Sequence, residues 1–382
     1  MTGVSKDLWQ PGHFADICTM DRKSIGSTSG GNLPYLGLDL VESQTGEILA
    51  FSDEAPVGNS FLFGPQHVLY GKLRPYLNKV AVPDCSGKCS TELVPLLPRN
   101  GVDRDYLAHA LRCQRVVNSV MEKNTGARMP RTDMKYLMSL PLLIPPLDEQ
   151  RRIVDILKRA DSIRRLRKQA LETTREMIPA LFVDMFGDPA TNPKGLRVEK
   201  IGAVTQIKTG STPSREITEY YTGKIPWVKT AEVNGTVIYD TEEHISEKAI
   251  ADTNCKVFPQ GTVLIAMYGQ GLTRGRSGIL ATPSATNQAC AAVLPSDQLD
   301  EIFLFYQMQV QYSALRALGH GGNQPNLNLG MVKSFPILVP SMESQKSFSK
   351  KASNLISIIT MQEAHFLETT AIVQSLMAQF FG

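Results

Sequence analysis

Apolar and polar positions follow two rhythms along the 382-residue chain, and each rhythm occurs twice. Over 13–140 and again over 200–335, apolar residues come in short β-branched runs after Pro or Gly. His67-Val68-Leu69-Tyr70 and Thr262-Val263-Leu264-Ile265 are examples. Such runs predict strands, because branched side chains fit a pleated surface while Gly and Pro supply the turns. Residues 106–120 and 302–318 carry helical patterning instead. Each stretch is therefore expected to be mixed α+β. The second rhythm starts at Glu149, where Ile153, Ile156, Ala160, Ile163, Ala170, Met177 and Leu181 recur at spacings of three, four or their multiples. This is one stripe of a long helix. Residues 343–381 repeat it with Phe348, Ala352, Leu355, Ile359, Phe366, Val373, Leu376 and Phe380. Pro145-Pro146 cannot lie inside the first helix, and Asp148 is suited to cap it. Roughly 38 residues of helix span about 57 Å, too long for a globular core but suited to an antiparallel pair holding two lobes apart. Pro179 is the one interruption, and two helices broken there are the alternative.

The two halves are copies. Gly187 and Gly382 each close a Phe-Gly pair, 195 residues apart. The same offset aligns Leu140-Pro141 with Phe335-Pro336, Pro145 with Pro340, Gln150 with Gln345 and Leu181 with Leu376. Leu33-Pro34-Tyr35-Leu36 matches Ile225-Pro226-Trp227-Val228 at an offset of 192, a drift that loop insertions produce. A long degenerate repeat predicts two related domains rather than one large one.

Composition narrows the classes only slightly. Hydrophobic content of 42% and charged content of 20% are ordinary for a globular protein, and a net charge of +3 is only mildly basic. No apolar run approaches the ~18 residues of a membrane span, and the polar start to Trp9 lacks a secretory core, so the expected compartment is the cytoplasm. Cys85 and Cys89 are close, but Cys18, Cys113, Cys255 and Cys290 offer no second close pair. Neither a disulfide framework nor a metal site is expected.

Catalytic motifs are missing. There is no phosphate-cradling Gly-rich loop with Lys-Ser/Thr, no ordered dinucleotide fingerprint, no paired-His metalloprotease motif and no nucleophile elbow. Asn192-Pro193 begins like an amino-methyltransferase motif, but Lys194-Gly195 follow and the aromatic clamp is absent. Asp148-Glu149 reads as a helix start whose acids face the dipole.

What is present suits nucleic acid. Lys72, Arg74, Tyr76, Asn78 and Lys79 follow one predicted strand; Tyr268, Gln270, Thr273, Arg274 and Arg276 follow its copy. Cations neutralise phosphates, and Arg and Asn pair with guanine and adenine edges. A second pair of polar, Gly-containing loops holds Arg128 before Pro130, and Asn323 and Gln324 before Pro325. Asn287 and Gln288, equivalent to about Ser90 to Glu92, serve equally well to satisfy buried backbone groups. Residues 149–168 carry eight cations against three acids, a solvated face or a surface for an acidic partner helix or DNA backbone; the copy is much less charged.

Thr209-Gly210-Ser211-Thr212-Pro213, Ile225-Pro226-Trp227-Val228 with Lys229 after it, Gly261-Thr262-Val263-Leu264-Ile265 and Ala285-Thr286-Asn287-Gln288, in this order, resemble a target-recognition domain of type I restriction–modification specificity subunits. Leu143-Ile144-Pro145-Pro146-Leu147-Asp148-Glu149-Gln150 before a long helix resembles the family's spacer. The first half departs from the pattern, with Ile25-Gly26-Ser27-Thr28-Ser29-Gly30 and Gly87-Lys88-Cys89-Ser90-Thr91-Glu92 at the corresponding places. The resemblance implies an α+β chain of two mixed α/β target-recognition domains separated by two long antiparallel, coiled-coil-like helices, related by a pseudo-two-fold repeat. The divisions would be 1–146, 147–188, 189–341 and 342–382. It implies a non-catalytic reader of a bipartite asymmetric site in double-stranded DNA. Two methyltransferase subunits would dock through Gln150, Ile153, Ile156, Ile163, Leu181, Gln345, Leu355 and Leu376, with restriction/translocase subunits completing the complex. S-adenosylmethionine, ATP and magnesium are expected on those partners and no cofactor on this chain. DNA contact is expected from Lys72, Arg74, Tyr76, Asn78, Lys79, Arg128, Thr209, Ser211, Thr212, Lys229, Tyr268, Gln270, Arg274, Arg276, Asn323 and Gln324. The alternatives are a stand-alone DNA-binding or scaffold protein, and an enzyme whose site carries no recognisable motif.

Overall fold

The structure, a computed structural model, describes residues 8–26, 33–53, 57–124, 128–269, 271–320 and 326–382. Two compact units divide the chain: Met1–Lys168 with His365–Gly382, and Gln169–Ala364.

In the first unit a four-stranded sheet runs in the order Cys18–Met20, Leu93–Pro98, Val68–Gly71, Val80–Ala81, all antiparallel. The strand Val68–Gly71 is buried on both faces, which is why its apolar run is continuous instead of alternating. Val68 and Tyr70 face a core built with the helices Arg104–Arg112, Gln114–Glu122 and Met134–Ser139. Leu69 faces a smaller cluster with Leu36, Phe63, Ala81, Cys89 and Leu93. That cluster belongs to a second four-stranded sheet, Ser24–Ile25, Ser60–Phe63, Gly87–Ser90 and Tyr35–Leu36, whose last pair is parallel. An antiparallel ribbon of Gln10–His13 with Pro141–Ile144 leads into the first long helix.

The second unit repeats this plan. Its main sheet runs Ile207–Thr209, Cys290–Val293, Val263–Ala266, Ser277–Leu280, with Val237–Ile238 added at the edge. Val263 and Ile265 face the helix-covered core, and Leu264 and Ala266 the smaller cluster. Ile225–Val228 pairs in parallel with Ala285–Thr286, as Tyr35–Leu36 pairs with residues of Gly87–Ser90. Val198–Lys200 and Pro336–Leu338 form the equivalent ribbon. The sequence repeat is therefore a repeat of topology.

Two helices of 40 residues, Leu147–Phe186 and Met342–Phe381, follow the ribbons. The first continues through Pro179 as one helix, so the alternative of two helices broken there does not hold. Each helix contributes to both units. Within the first unit the two pieces are antiparallel. Arg167 Nη1 donates to His365 O at 2.7 Å, while Ile153, Val154 and Leu157 share the core with Phe380 and Phe381. Within the second, Arg175 pairs with Glu363, and Phe182 lies 5.5 Å from Phe348 between ring centroids.

Each long helix is fastened to its unit by one buried amide. Gln150 Oε1 accepts from Asp103 N at 2.8 Å, and Nε2 donates to Pro145 O at 2.9 Å and Gly101 O at 3.2 Å. Gln345 does the same with Asp300 N at 2.9 Å, Pro340 O at 2.9 Å and Gln298 O at 3.1 Å. Asp103 and Asp300 in turn cap the helices Arg104–Arg112 and Glu301–Val310.

Candidate nucleic-acid interface

Three segments converge at the end of the strand Val68–Gly71. Lys72 N donates to Glu92 O at 2.9 Å, Thr132 N to Lys72 O at 2.8 Å, and Arg74 N to Pro130 O at 2.8 Å. The loop after the strand, the turn at 90–92 and residues 128–132 thus form one rim. Arg74, Tyr76 and Arg128 are exposed on it. Arg131 joins them, its guanidinium 3.2 Å from Glu92 Oε1. Arg74 and Asn78 sit at φ 52° and 50°, the left-handed region that bulky residues avoid, on either side of the turn Pro75–Leu77.

The same rim recurs in the second unit with two of these backbone bonds. Met267 N donates to Ala289 O at 2.8 Å and Leu327 N to Met267 O at 2.9 Å. A fourth segment joins here: Ser211 N donates to Thr286 O at 2.9 Å, and Thr212 Oγ1 donates to Gln288. Gly210 permits this approach, since a Cβ there would lie 1.9 Å from Thr286 O. Trp227 Nε1 holds the loop from beneath through Ser211 O at 3.1 Å. Thr212, Tyr268, Leu272 and Gln288 are exposed, whereas Thr209, Ser211 and Arg276 are partly covered, as is Lys72 in the first unit.

Several residues expected to contact DNA are committed elsewhere. Asn78 is buried and its Nδ2 donates to Arg112 O at 2.9 Å. Lys79 Nζ donates to Leu38 O at 2.9 Å. Lys229 pairs with Glu242 at 2.6 Å and Glu243 at 3.1 Å, and these bonds raise its pKa. Asn287 Oδ1 accepts from Ala289 N and Thr230 Oγ1, a backbone-satisfying role. Arg274 is buried. Gln270, Asn323 and Gln324 lie outside the described residues.

The expected partner-docking residues divide in the same way. Gln150, Ile153 and Gln345 are buried within their own units and are not available as a docking surface. Ile156, Leu181, Leu355 and Leu376 are partly buried against their own cores, and only Ile163, 50% exposed, is open. The helical period identified the covered face of the first helix only in part: Ile163, Ala170 and Met177 are exposed, while Val154, Leu157, Leu171, Ile178 and Phe182 supply most of the face that each unit buries. Conversely, Arg131 and Arg316 join the rims without having been singled out, and Glu92 and Gln288, read from the sequence only as part of a backbone-satisfying turn, stand there too. For Arg131 the signal was available, because it lies 195 residues before Asn326, beside the second pair of loops.

Among the described residues no cluster of three or more His, Cys, Asp or Glu side chains could hold a metal ion. All six cysteines are free, and burial pushes the Cys18, Cys89 and Cys290 thiols up to about 12. Among the described residues no helix is long and apolar enough to cross a membrane.

The family model described as the type I restriction modification DNA specificity domain matches residues 6–173 and again 193–368. The specificity subunit of the type I restriction enzyme MjaIX of Methanocaldococcus jannaschii is 30% identical over 172 residues, 44% of this chain and 39% of that protein. The MjaVIII subunit of the same organism is 21% identical over 295 residues, 72% of this chain and 69% of the relative. The EcoR124I/EcoR124II subunit of Escherichia coli is 25% identical over 150 residues, 38% of this chain and 37% of its own length. The chain thus spans about two fifths of the first of these relatives and of the third. Two solved structures share the fold. One, from work on complex assembly and conformational transition of a type I restriction–modification system, superposes with a TM-score of 0.64 at 20% identity, covering 98% of this chain and 97% of the other. The other, the S subunit from M. genitalium, gives 0.60 at 14% identity over 98% and 96%.

Proposed function

The chain belongs to the type I restriction modification DNA specificity family, with two copies of its domain, and from that premise we propose that it is the non-catalytic DNA-reading subunit of a type I restriction–modification complex. Each unit reads one half of a bipartite asymmetric site. The observation that carries this reading is the recurrence of one rim in both units. Lys72 and Met267 stand at the same node, bonded to Glu92 and Ala289 on one side and to Thr132 and Leu327 on the other. The backbone frame is shared while the side chains on it differ: Arg74, Tyr76, Arg128 and Arg131 in one unit, Thr212, Tyr268 and Gln288 in the other. A conserved frame with divergent residues suits two readers of unlike sequences. Exposed cations supply sequence-independent phosphate affinity, and aromatic and amide groups face bases.

In this reading the long helices set the gap between half-sites and, through their exposed faces, carry adenine methyltransferase subunits, two by the symmetry of the repeat, with restriction/translocase subunits added to them. S-adenosylmethionine, ATP and magnesium belong to those partners. The test is a methylation map of DNA from cells expressing the chain with its methyltransferase partner, against cells lacking only the chain. The expected result is adenine methylation confined to a gapped, two-part motif and lost without the chain. A continuous motif, or an unchanged pattern, refutes the reading.

A further inference from the structure

Buried charged atoms in folded proteins almost always have partners, and one without a partner calls for an explanation. Each rim contains one. In the first unit Glu92 is fixed by its backbone carbonyl to Lys72 N, and its Oε1 accepts from Arg131 Nη2 at 3.2 Å. Its Oε2 is buried with no hydrogen-bond partner. In the second unit Arg274 is 6% exposed, at the root of the hairpin bearing exposed Tyr268 and Leu272, and its Nε is buried without an acceptor. Its carbonyl is held by Arg316, whose Nη2 also donates to Gly271 O at 2.6 Å. The backbone around both groups is therefore pinned, and only the side chains remain to be satisfied.

The two groups are not repeat equivalents. The backbone bond to Lys72 places Glu92 opposite Ala289, which has no acceptor side chain. Lys79 and Arg276 make the same bond, to Gly71 N and Ala266 N, so counting back two residues places Leu77 opposite Arg274. One rim leaves open an acceptor and the other a donor, and neither has the other's group at the equivalent position.

We propose that Glu92 and Arg274 are specificity-determining residues of opposite hydrogen-bond polarity, resting on the reading of the chain as a DNA specificity subunit. Phosphates repel a carboxylate, so the DNA groups that can satisfy Glu92 Oε2 are donors on bases: the exocyclic amino groups of cytosine or adenine in the major groove. A guanidinium is completed by the paired O6 and N7 acceptors of guanine. The first unit selects an amino-bearing base at one position of its half-site, and the second selects guanine. Side-chain rotation on a pinned backbone is the usual scale of change when such interfaces form.

The experiment compares the full chain, assembled with its methyltransferase partner, with Glu92→Gln and Arg274→Ala on a library of gapped duplexes. Preference is read position by position in both half-sites. Glu92→Gln is expected to lower discrimination about tenfold to a hundredfold at one position of one half-site, and Arg274→Ala to do so at a guanine of the other. Thermal unfolding checks the fold, and Glu92→Asp and Arg274→Lys serve where a first variant does not fold. Uniform weakening over all sequences, a change in both half-sites, or unaltered preferences overturns the assignment. A wild-type protein that selects no gapped site overturns instead the functional reading on which it rests.

Discussion

Replacing Gln150 by alanine separates two roles, docking of a partner and fastening of the recognition fold to its helix. Gln150 is 1% exposed, and its amide makes three bonds to backbone groups. The bond to Pro145 O is fully buried, so that carbonyl would be orphaned, at a cost of about 1–3 kcal/mol. Asp103 N and Gly101 O are partly buried and would be rehydrated in part, each losing about 0.5–1 kcal/mol. The sum is about 3 kcal/mol. At a urea m-value of roughly 2 kcal/mol per molar, the midpoint of the first unit's transition should fall by about 1.5 M with m unchanged. Gln345 provides the internal control, because its three bonds are equivalent and it is also 1% exposed; Gln345→Ala should shift the second unit's transition by a similar amount. Gln150→Glu keeps the acceptor for Asp103 N but faces two carbonyls with a carboxylate, and should destabilise at least as much at neutral pH. A loss below about 1 kcal/mol at either site, far short of the orphan cost, would refute the reasoning. So would normal stability with failure to bind methyltransferase subunits, which would return these residues to a docking role.

Three further outcomes follow from the structure. Arg74→Ala removes an exposed rim cation and should weaken binding uniformly across sequences, reducing the log–log salt slope by about 1 in salt titrations of affinity; a slope left unchanged would deny it a phosphate contact. Gly210→Ala places a Cβ 1.9 Å from Thr286 O, so the loop must move; a loss of about 1–3 kcal/mol in the second unit by denaturant melts is expected, and an unperturbed midpoint would show that the contact is slack. Burial, reinforced by the neighbouring Arg112 charge, lowers the His109 pKa to about 3. Unfolded His109 takes up a proton near pH 6.5 while the folded one does not until about 3, so stability is full above roughly pH 6.5 and falls as pH drops toward 3, by up to about 1.4 kcal/mol per pH unit. Unfolding midpoints of His109→Asn should be correspondingly flatter across that window, and an identical pH slope would contradict the assignment.

The duplication, the α+β character of each half, the helix starts near Leu147 and Met342 and the strands 68–71 and 263–266 were all legible in the sequence. Local signals set them: prolines that stop a helix, apolar periods and an offset that preserves both. The strand loops were also found, because cations and aromatics after a strand are a local pattern. Which of those side chains is free could not be read, since that depends on partners far away in the chain. Lys79 is spent on Leu38 O, Asn78 on Arg112 O and Lys229 on Glu242 and Glu243. The apolar stripe of the long helices shows the same limit: periodicity found a stripe, but packing buries Val154, Leu157, Leu171, Ile178 and Phe182 of the first helix and leaves Ile163, Ala170 and Met177 exposed. The open carboxylate oxygen of Glu92 was invisible for the converse reason. A lone acid in a turn carries no signal until the tertiary structure buries one of its oxygens, beside Lys72 and Arg131, and leaves that oxygen without a partner.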